Sequence, residues 1–91
     1  MNIEIGIKEA GKAVFVKFND LSPNYDIFEI IILKSGVLRI DSNTDGTRVF
    51  LSSGVDFTFS MQNVQTVSGQ SPIDEADLFD KINTLVLNNL V

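Results

Sequence analysis

The chain has 91 residues, 44% of them hydrophobic, and its twelve Asp and Glu against seven Lys and Arg leave a net charge of −5. This length predicts a single domain, residues 1–91, and the scattered basic residues disfavour nucleic acid as a direct ligand. The chain contains no cysteine and no histidine, which excludes disulfides, thiolate metal sites and a histidine base.

Nothing in the sequence predicts a membrane partner. The longest nearly apolar run, residues 27–33, contains Glu29 and is far shorter than the ~20 residues that a spanning helix needs. The N-terminal residues lack the positive region and apolar stretch of a secretory signal. We therefore expect a soluble protein, cytoplasmic unless it is part of a larger particle.

The first two predicted strands each have one apolar face. Ile3, Ile5 and Ile7 alternate with polar or small residues, which is the period-two pattern of a half-buried strand. Residues 12–18 are apolar on one face and mixed on the other. A loop follows over residues 19–24, because Pro23 cannot donate a ladder hydrogen bond.

The third predicted strand, residues 25–34, is apolar on both faces and is interrupted only by Glu29. A strand of this kind needs cover on both sides. Glu29 is either an acid held in a pocket or a charge that blocks pairing at a sheet edge, and the second role is the commoner one.

Short turns then connect further predicted strands. Turns at 35–36, 43–46 and 52–54 separate strands at 37–41, 47–51 and 55–61, and a last short strand covers 64–67. The strand at 55–61 alternates most regularly, so we expect its inner face to contribute to the core; the inward residues are Val55, Phe57, Phe59 and Met61.

A single amphipathic helix is predicted from Ser71 to Val91. Ser71 suits the N-cap, Pro72 suits the first helical position, and three acidic residues suit the positive end of the helix dipole: Asp74, Glu75 and Asp77. Apolar residues recur at helical spacing and form one stripe, made of Leu78, Phe79, Ile82, Leu85, Val86 and Leu90.

Together these elements predict an α+β fold. An antiparallel meander of five to six strands over residues 1–69 forms a sheet or partly closed barrel, and the C-terminal helix over residues 70–91 packs on it. A helix of about twenty residues is ~30 Å long and ~10 Å wide, so it covers one side of a small sheet and leaves the other uncovered.

The second apolar face of the third strand must then be covered by closure of the sheet into a barrel or by another subunit, and we favour the subunit. Ile30 and Ile32 are the predicted interface residues on this face. Tyr25, the only tyrosine, is either an exposed anchor for a partner or a ring folded over the sheet edge.

One segment resembles half of a calcium-binding loop. Residues 41–46 fit the pattern D-x-[DN]-x-[DN]-G, so Asp41, Asn43 and Asp45 are the candidate metal ligands. The closing Glu is replaced by Ser52 and the flanking segments are strands, while a hairpin turn explains the same residues. We therefore predict no bound metal and no cofactor.

We also predict that the protein is not an enzyme. The Gly-x-Ser-x-Gly motif, a phosphate loop and a paired Glu motif are all missing from the sequence, and capping explains the acidic residues at the start of the helix. Two other classes remain open: a small intracellular adaptor or binding module, and a calcium-dependent surface-binding module that would use the Asp41 loop.

The end of the chain resembles that of small bacteriophage structural proteins. In those, a strand similar to V-x-S-V-x-G precedes a loop and a helix of the type A-x-L-x-x-K-I, as residues 64–72 and 76–82 do here, although Ser68 stands where we expect Asn. The resemblance implies a virion component of the head, neck, tail or fibre, such as a capsid or tail accessory protein. It also implies a homo-oligomer that contacts other virion proteins and is made in the host cytoplasm.

Overall fold

The computed structural model describes residues 3–19 and 29–87. Within them the chain is α+β, as predicted, with one helix that follows all the strands. The elements are β1 Ile3–Lys8, β2 Ala13–Phe18, β3 Glu29–Leu33, β4 Val37–Asn43, β5 Gly46–Leu51, β6 Asp56–Phe59, β7 Val64–Val67 and α1 Glu75–Leu87. Short 3-10 turns at Glu9–Gly11 and Lys34–Gly36 connect β1 to β2 and β3 to β4.

The described strands form two open sheets instead of one meander of five to six strands. The first sheet has the order β3-β2-β1-β7 and the second has the order β4-β5-β6. All neighbours are antiparallel except β1 and β7, which are parallel. The chain leaves the first sheet after β3, builds the second, and returns to place β7 beside β1, so the two sheets do not close into a barrel.

The core lies between the two sheets and the helix. The alternation predicted for the first two strands is confirmed, since Ile3, Ile5, Val14 and Val16 all point inward and are buried. The second sheet adds Val49 and Phe59, and the predicted helical stripe adds Leu78, Ile82, Leu85 and Val86. The face of the first sheet that carries these residues is called the inner face below, and the opposite face the outer face.

The helix begins three residues later than the sequence indicates, at Glu75 instead of Pro72. Asp74 is the cap, because its carboxylate Oδ1 accepts a hydrogen bond of 2.8 Å from the Asp77 N–H. The Asp77 carboxylate in turn accepts one of 2.9 Å from the Ile73 N–H. Ser71 and Pro72 therefore precede the helix, and Pro72 is buried there.

Candidate interaction surface

Ile30 and Ile32 lie on the inner face of the first sheet. They pair with Val16 and Val14 of β2, whose side chains point into the core. Ile32 is only 7% exposed, and Ile30 packs against the core cluster. Residues opposite each other in a ladder share a face, so Ile30 and Ile32 point into the core with Val16 and Val14. The prediction that they lie on the open side of the strand is therefore wrong.

The open side of β3 carries Ile31 and Leu33. Their side chains are 43% and 54% exposed, so part of the strand stays uncovered by the described fold. Phe15 of β2 lies directly opposite Ile31 and extends the apolar area across the sheet. We call these three residues, Phe15, Ile31 and Leu33, the outer patch.

Neighbouring groups hold the Phe15 ring in place. A Cβ atom at Gly6 would overlap Phe15 Cε2, so the ring lies over the glycine of the adjacent strand. Lys8 Nζ lies 5.6 Å from the ring centroid, within the range of a cation–π contact. Lys8 also forms an ion pair with Glu29 at the start of β3.

The described charges on the outer face are balanced. By strand register, Glu4, Lys17 and Glu29 lie in one row across the sheet, and Lys8 lies on the same face. Glu4 accepts a hydrogen bond from the Asn19 amide. These two acids and two bases cancel, although the whole chain carries −5. Among the described residues, the outer face therefore adds no net charge that would oppose association.

A shallow groove of about 250 Å³ adjoins the outer patch. It runs from β3 to the turn between β5 and β6, and the Ser52 N–H donates a hydrogen bond of 2.9 Å to the Gly36 carbonyl beside it. The lining residues are Ile31, Ile32, Leu33, Gly36, Leu51, Ser52 and Ser53. The patch and this groove form a continuous, mostly apolar surface at one end of the first sheet.

Glu29 lies on β3, which is an end strand of the first sheet. Its carboxylate pairs with Lys8, and its side chain is about one quarter exposed, at 26%. This position at the start of an end strand gives no support to an acid held in a pocket, and the ion pair with Lys8 compensates the charge that would otherwise oppose pairing along β3. Tyr25, the other predicted interface residue, lies outside the described residues.

The three candidate calcium ligands take part in a hairpin. Asn43 Oδ1 accepts a hydrogen bond of 2.9 Å from the Asp45 N–H, and Asp41 Oδ2 lies 3.0 Å from Arg39 Nε. Gly46 closes the turn with a φ of +128°, a conformation that favours glycine. In residues 3–19 and 29–87, no group of three or more Asp or Glu side chains is placed to hold a metal ion.

We predict that calcium leaves the thermal stability of the protein unchanged. A ligand that binds only the folded state raises the melting temperature increasingly as its concentration exceeds its dissociation constant, and here the side-chain oxygens Asp41 Oδ2 and Asn43 Oδ1 already have protein partners. Melting curves in millimolar calcium and in chelator should coincide. If calcium raised the melting temperature of the wild type but not that of Asp41→Asn, the prediction would be wrong and the loop would bind calcium.

The acidic residues at the start of α1 are engaged in structural contacts. Two hydrogen bonds, first from the Ile73 N–H and then from Lys81, lower the pKa of Asp77 below its usual value. Lys81 Nζ lies 3.0 Å from the Asp77 carboxylate. The Glu75 carboxylate accepts a hydrogen bond of 3.1 Å from the Met61 N–H. A groove of about 370 Å³ lies beside this part of the helix and is lined by two acids, Asp77 and Asp80. Asp77 is held by Ile73 and Lys81, and Asp80 has no partner among the described residues.

Sequence reasoning missed Lys34, which follows β3 and is only 4% exposed. Its Nζ has no hydrogen-bond partner among the described residues, and burial lowers the pKa of the side chain from its usual 10.5. A lysine directly after an apolar strand is normally exposed, and no local pattern in the sequence indicates its burial, which depends on how β3 pairs with β2.

We expect Lys34→Met to raise the free energy of unfolding by about 1–3 kcal/mol, because it removes a buried, unpaired polar group and keeps an unbranched stem. Between the lowered folded pKa and 10.5 the unfolded chain holds the proton and the folded chain releases it. The wild type therefore gains stability as pH rises through this window, and its deficit relative to the variant shrinks.

Urea titrations of wild type and variant at several pH values measure this difference. Lys12→Met is the matched control, because it removes the same charge at an exposed position and should change stability by less than about 0.5 kcal/mol. Equal stability of the two variants at every pH would show that Lys34 carries no burial penalty.

The described part of the chain contains no helix that combines the length and apolar character needed to cross a membrane. Comparisons of the chain with protein-family models, curated proteins and solved structures gave no match.

Proposed function

We propose that this protein is a non-enzymatic structural or assembly protein that acts by self-association. The exposure of Ile31 and Leu33 on the outer face carries the proposal, since apolar residues grouped on one sheet face are typical of an interface. A domain of this size buries only about 60–65% of its unfolded surface, so association also supplies stability.

A role as a bacteriophage virion component follows from the sequence resemblance alone. It agrees with self-association, because head, neck, tail and fibre proteins are built from repeated copies that bind one another. The partners would then be further copies of this chain and neighbouring virion proteins.

A second candidate is an adaptor or binding module. The groove beside the outer patch favours it, because a concave apolar site of about 250 Å³ suits a short segment of another protein. Such a module would keep this groove free for its partner and would be a monomer on its own, whereas an assembly protein would associate with further copies of itself.

Light scattering on the purified protein separates these functions. We expect the wild type to have at least twice the 10.0 kDa mass of one chain, and Ile31→Asp and Leu33→Asp to return it to the monomer. Substitutions at Ile30 or Ile32 are unsuitable, because an Asp there would be buried and would unfold the protein.

Leu38→Asp is the matched control, because Leu38 is even more exposed than Leu33 and lies on β4 of the other sheet. It adds the same charge and should leave the mass unchanged. A wild type that is monomeric at every concentration would contradict the assembly function and leave the binding module as the better explanation.

A further inference from the structure

Four strands lie at the ends of the two sheets, namely β3 and β7 of the first and β4 and β6 of the second. An end strand exposes unpaired backbone donors and acceptors, and natural proteins block it with bulges, charges, or very short strands. The described end strands differ sharply in how well they are blocked.

Three of the four carry a recognisable block. In β4 the register shifts between Val37 and Arg39, which leaves Leu38 as the extra residue of a bulge. β6 has four residues and begins with Asp56, whose carboxylate lies 3.1 Å from Arg48. β7 also has four residues, and its Val67 is bonded to Gln70 across the following turn.

β3 lacks these features. Its residues 30–33 are four consecutive apolar residues, its register with β2 is regular, and its only charge, Glu29, lies at one end and is paired with Lys8. The strand is therefore the one end strand of the described fold that can accept another strand along its length.

The backbone of β3 is oriented for such pairing. The Lys34 N–H donates a hydrogen bond of 3.0 Å to the Lys12 carbonyl, and hydrogen-bonded positions alternate along an antiparallel ladder. The backbone groups of Ile30 and Ile32 therefore point to β2, and those of Ile31 and Leu33 point away from the sheet. The two residues with exposed side chains also present the free donors and acceptors.

We infer that β3 pairs antiparallel with β3 of a second copy about a two-fold axis at Ile31, which rests on the self-association proposed above. In this register Ile31 lies opposite Ile31, and Glu29 lies opposite Leu33. Glu29, Ile31 and Leu33 of each copy direct their N–H and carbonyl groups toward the partner. In this register each of these groups finds a hydrogen-bond partner on the other copy. The two sheets join into one, and the two outer patches merge.

Charge favours a second copy as the occupant. The Glu29 residues of the two copies are four positions apart along the ladder, or ~13 Å, and each keeps its own Lys8 partner. In this register the described charges do not place like charges opposite each other, and those on the outer face have no excess of either sign. A two-fold interface brings the same surface of both copies together, so that surface must be compatible with itself. Here the charged end of each strand lies opposite the apolar end of the other.

Single cysteines test the register, because the natural chain has none. In Ile31→Cys the two Cα atoms would lie about 5.5 Å apart, within the range of a disulfide. In Leu33→Cys they would lie ~13 Å apart, beyond it. Mild oxidation should give a band at twice the 10.0 kDa chain mass for Ile31→Cys and no such band for Leu33→Cys.

The double variant Glu29→Cys/Leu33→Cys should also cross-link, which keeps the test valid if Ile31→Cys fails to fold. A wild type that is multimeric by light scattering, with no cross-link through position 31 or the 29–33 pair, would overturn the β3 pairing and leave self-association in place. Equal cross-linking of Ile31→Cys and Leu33→Cys would overturn the register. A monomeric wild type would overturn both proposals.

Discussion

Gly46→Ala is expected to lower the free energy of unfolding by about 2–5 kcal/mol, through backbone strain and a steric overlap that adds to it. Gly46 has a φ of +128°, which side chains rarely allow. An added Cβ would also overlap the Phe59 carbonyl oxygen and lie 3.1 Å from its carbon, so β5 and β6 would have to separate. Both atoms belong to backbone in a paired strand and have little freedom to move.

Two other glycines separate these causes. Gly54 has a φ of +95° with nothing within 4 Å of an added Cβ, so Gly54→Ala tests the strain alone and should cost about 1 kcal/mol. Gly36 has open space and no positive φ, so Gly36→Ala should be nearly neutral. Urea titration of the three variants should give this order, and a Gly46→Ala protein as stable as Gly54→Ala would show that the overlap is relieved without cost.

Leu78→Ala is expected to destabilise the protein by about 2–5 kcal/mol, because the side chain is fully buried and its loss leaves a cavity. Leu78 lies in the first turns of α1, which contacts β4 and β5 of one sheet and β7 of the other. A small domain has roughly 5–15 kcal/mol of stability in total, so this single change removes a large part of it.

Leu87→Ala removes the same atoms from an exposed position on the same helix and should cost less than about 0.5–1 kcal/mol. Denaturation followed by circular dichroism compares the two midpoints directly. If the two variants unfolded at the same urea concentration, the helix would not be packed on both sheets as described.

Local patterns predicted most of the elements. Alternation in β1 identified the buried residues Ile3 and Ile5, and helical spacing identified Leu78 and Ile82. An element buried on one face repeats its apolar residues every two positions in a strand and every three to four positions in a helix. The predicted start of the helix was wrong because Ser71 and Asp74 are both good caps. Only tertiary packing, which buries Pro72, decides between them.

Two other features depend on contacts distant in sequence. The parallel pairing of β7 with β1 joins residues about sixty positions apart, and no local signal distinguishes it from a continued meander. The side of β3 that stays open is equally hidden, because residues 30–33 are all apolar and either face suits the core. Pairing with Val14 and Val16 decides that Ile32 is inside and Ile31 outside.

Amide hydrogen exchange in the wild-type protein tests most directly whether β3 is covered by a second copy. We predict slow exchange at Ile31 and Leu33 above the association concentration and fast exchange after dilution. The Ile32 amide, bonded to β2, should be slow at both concentrations and serves as the internal reference. Fast exchange of Ile31 and Leu33 at every concentration, beside a protected Ile32, would contradict the account.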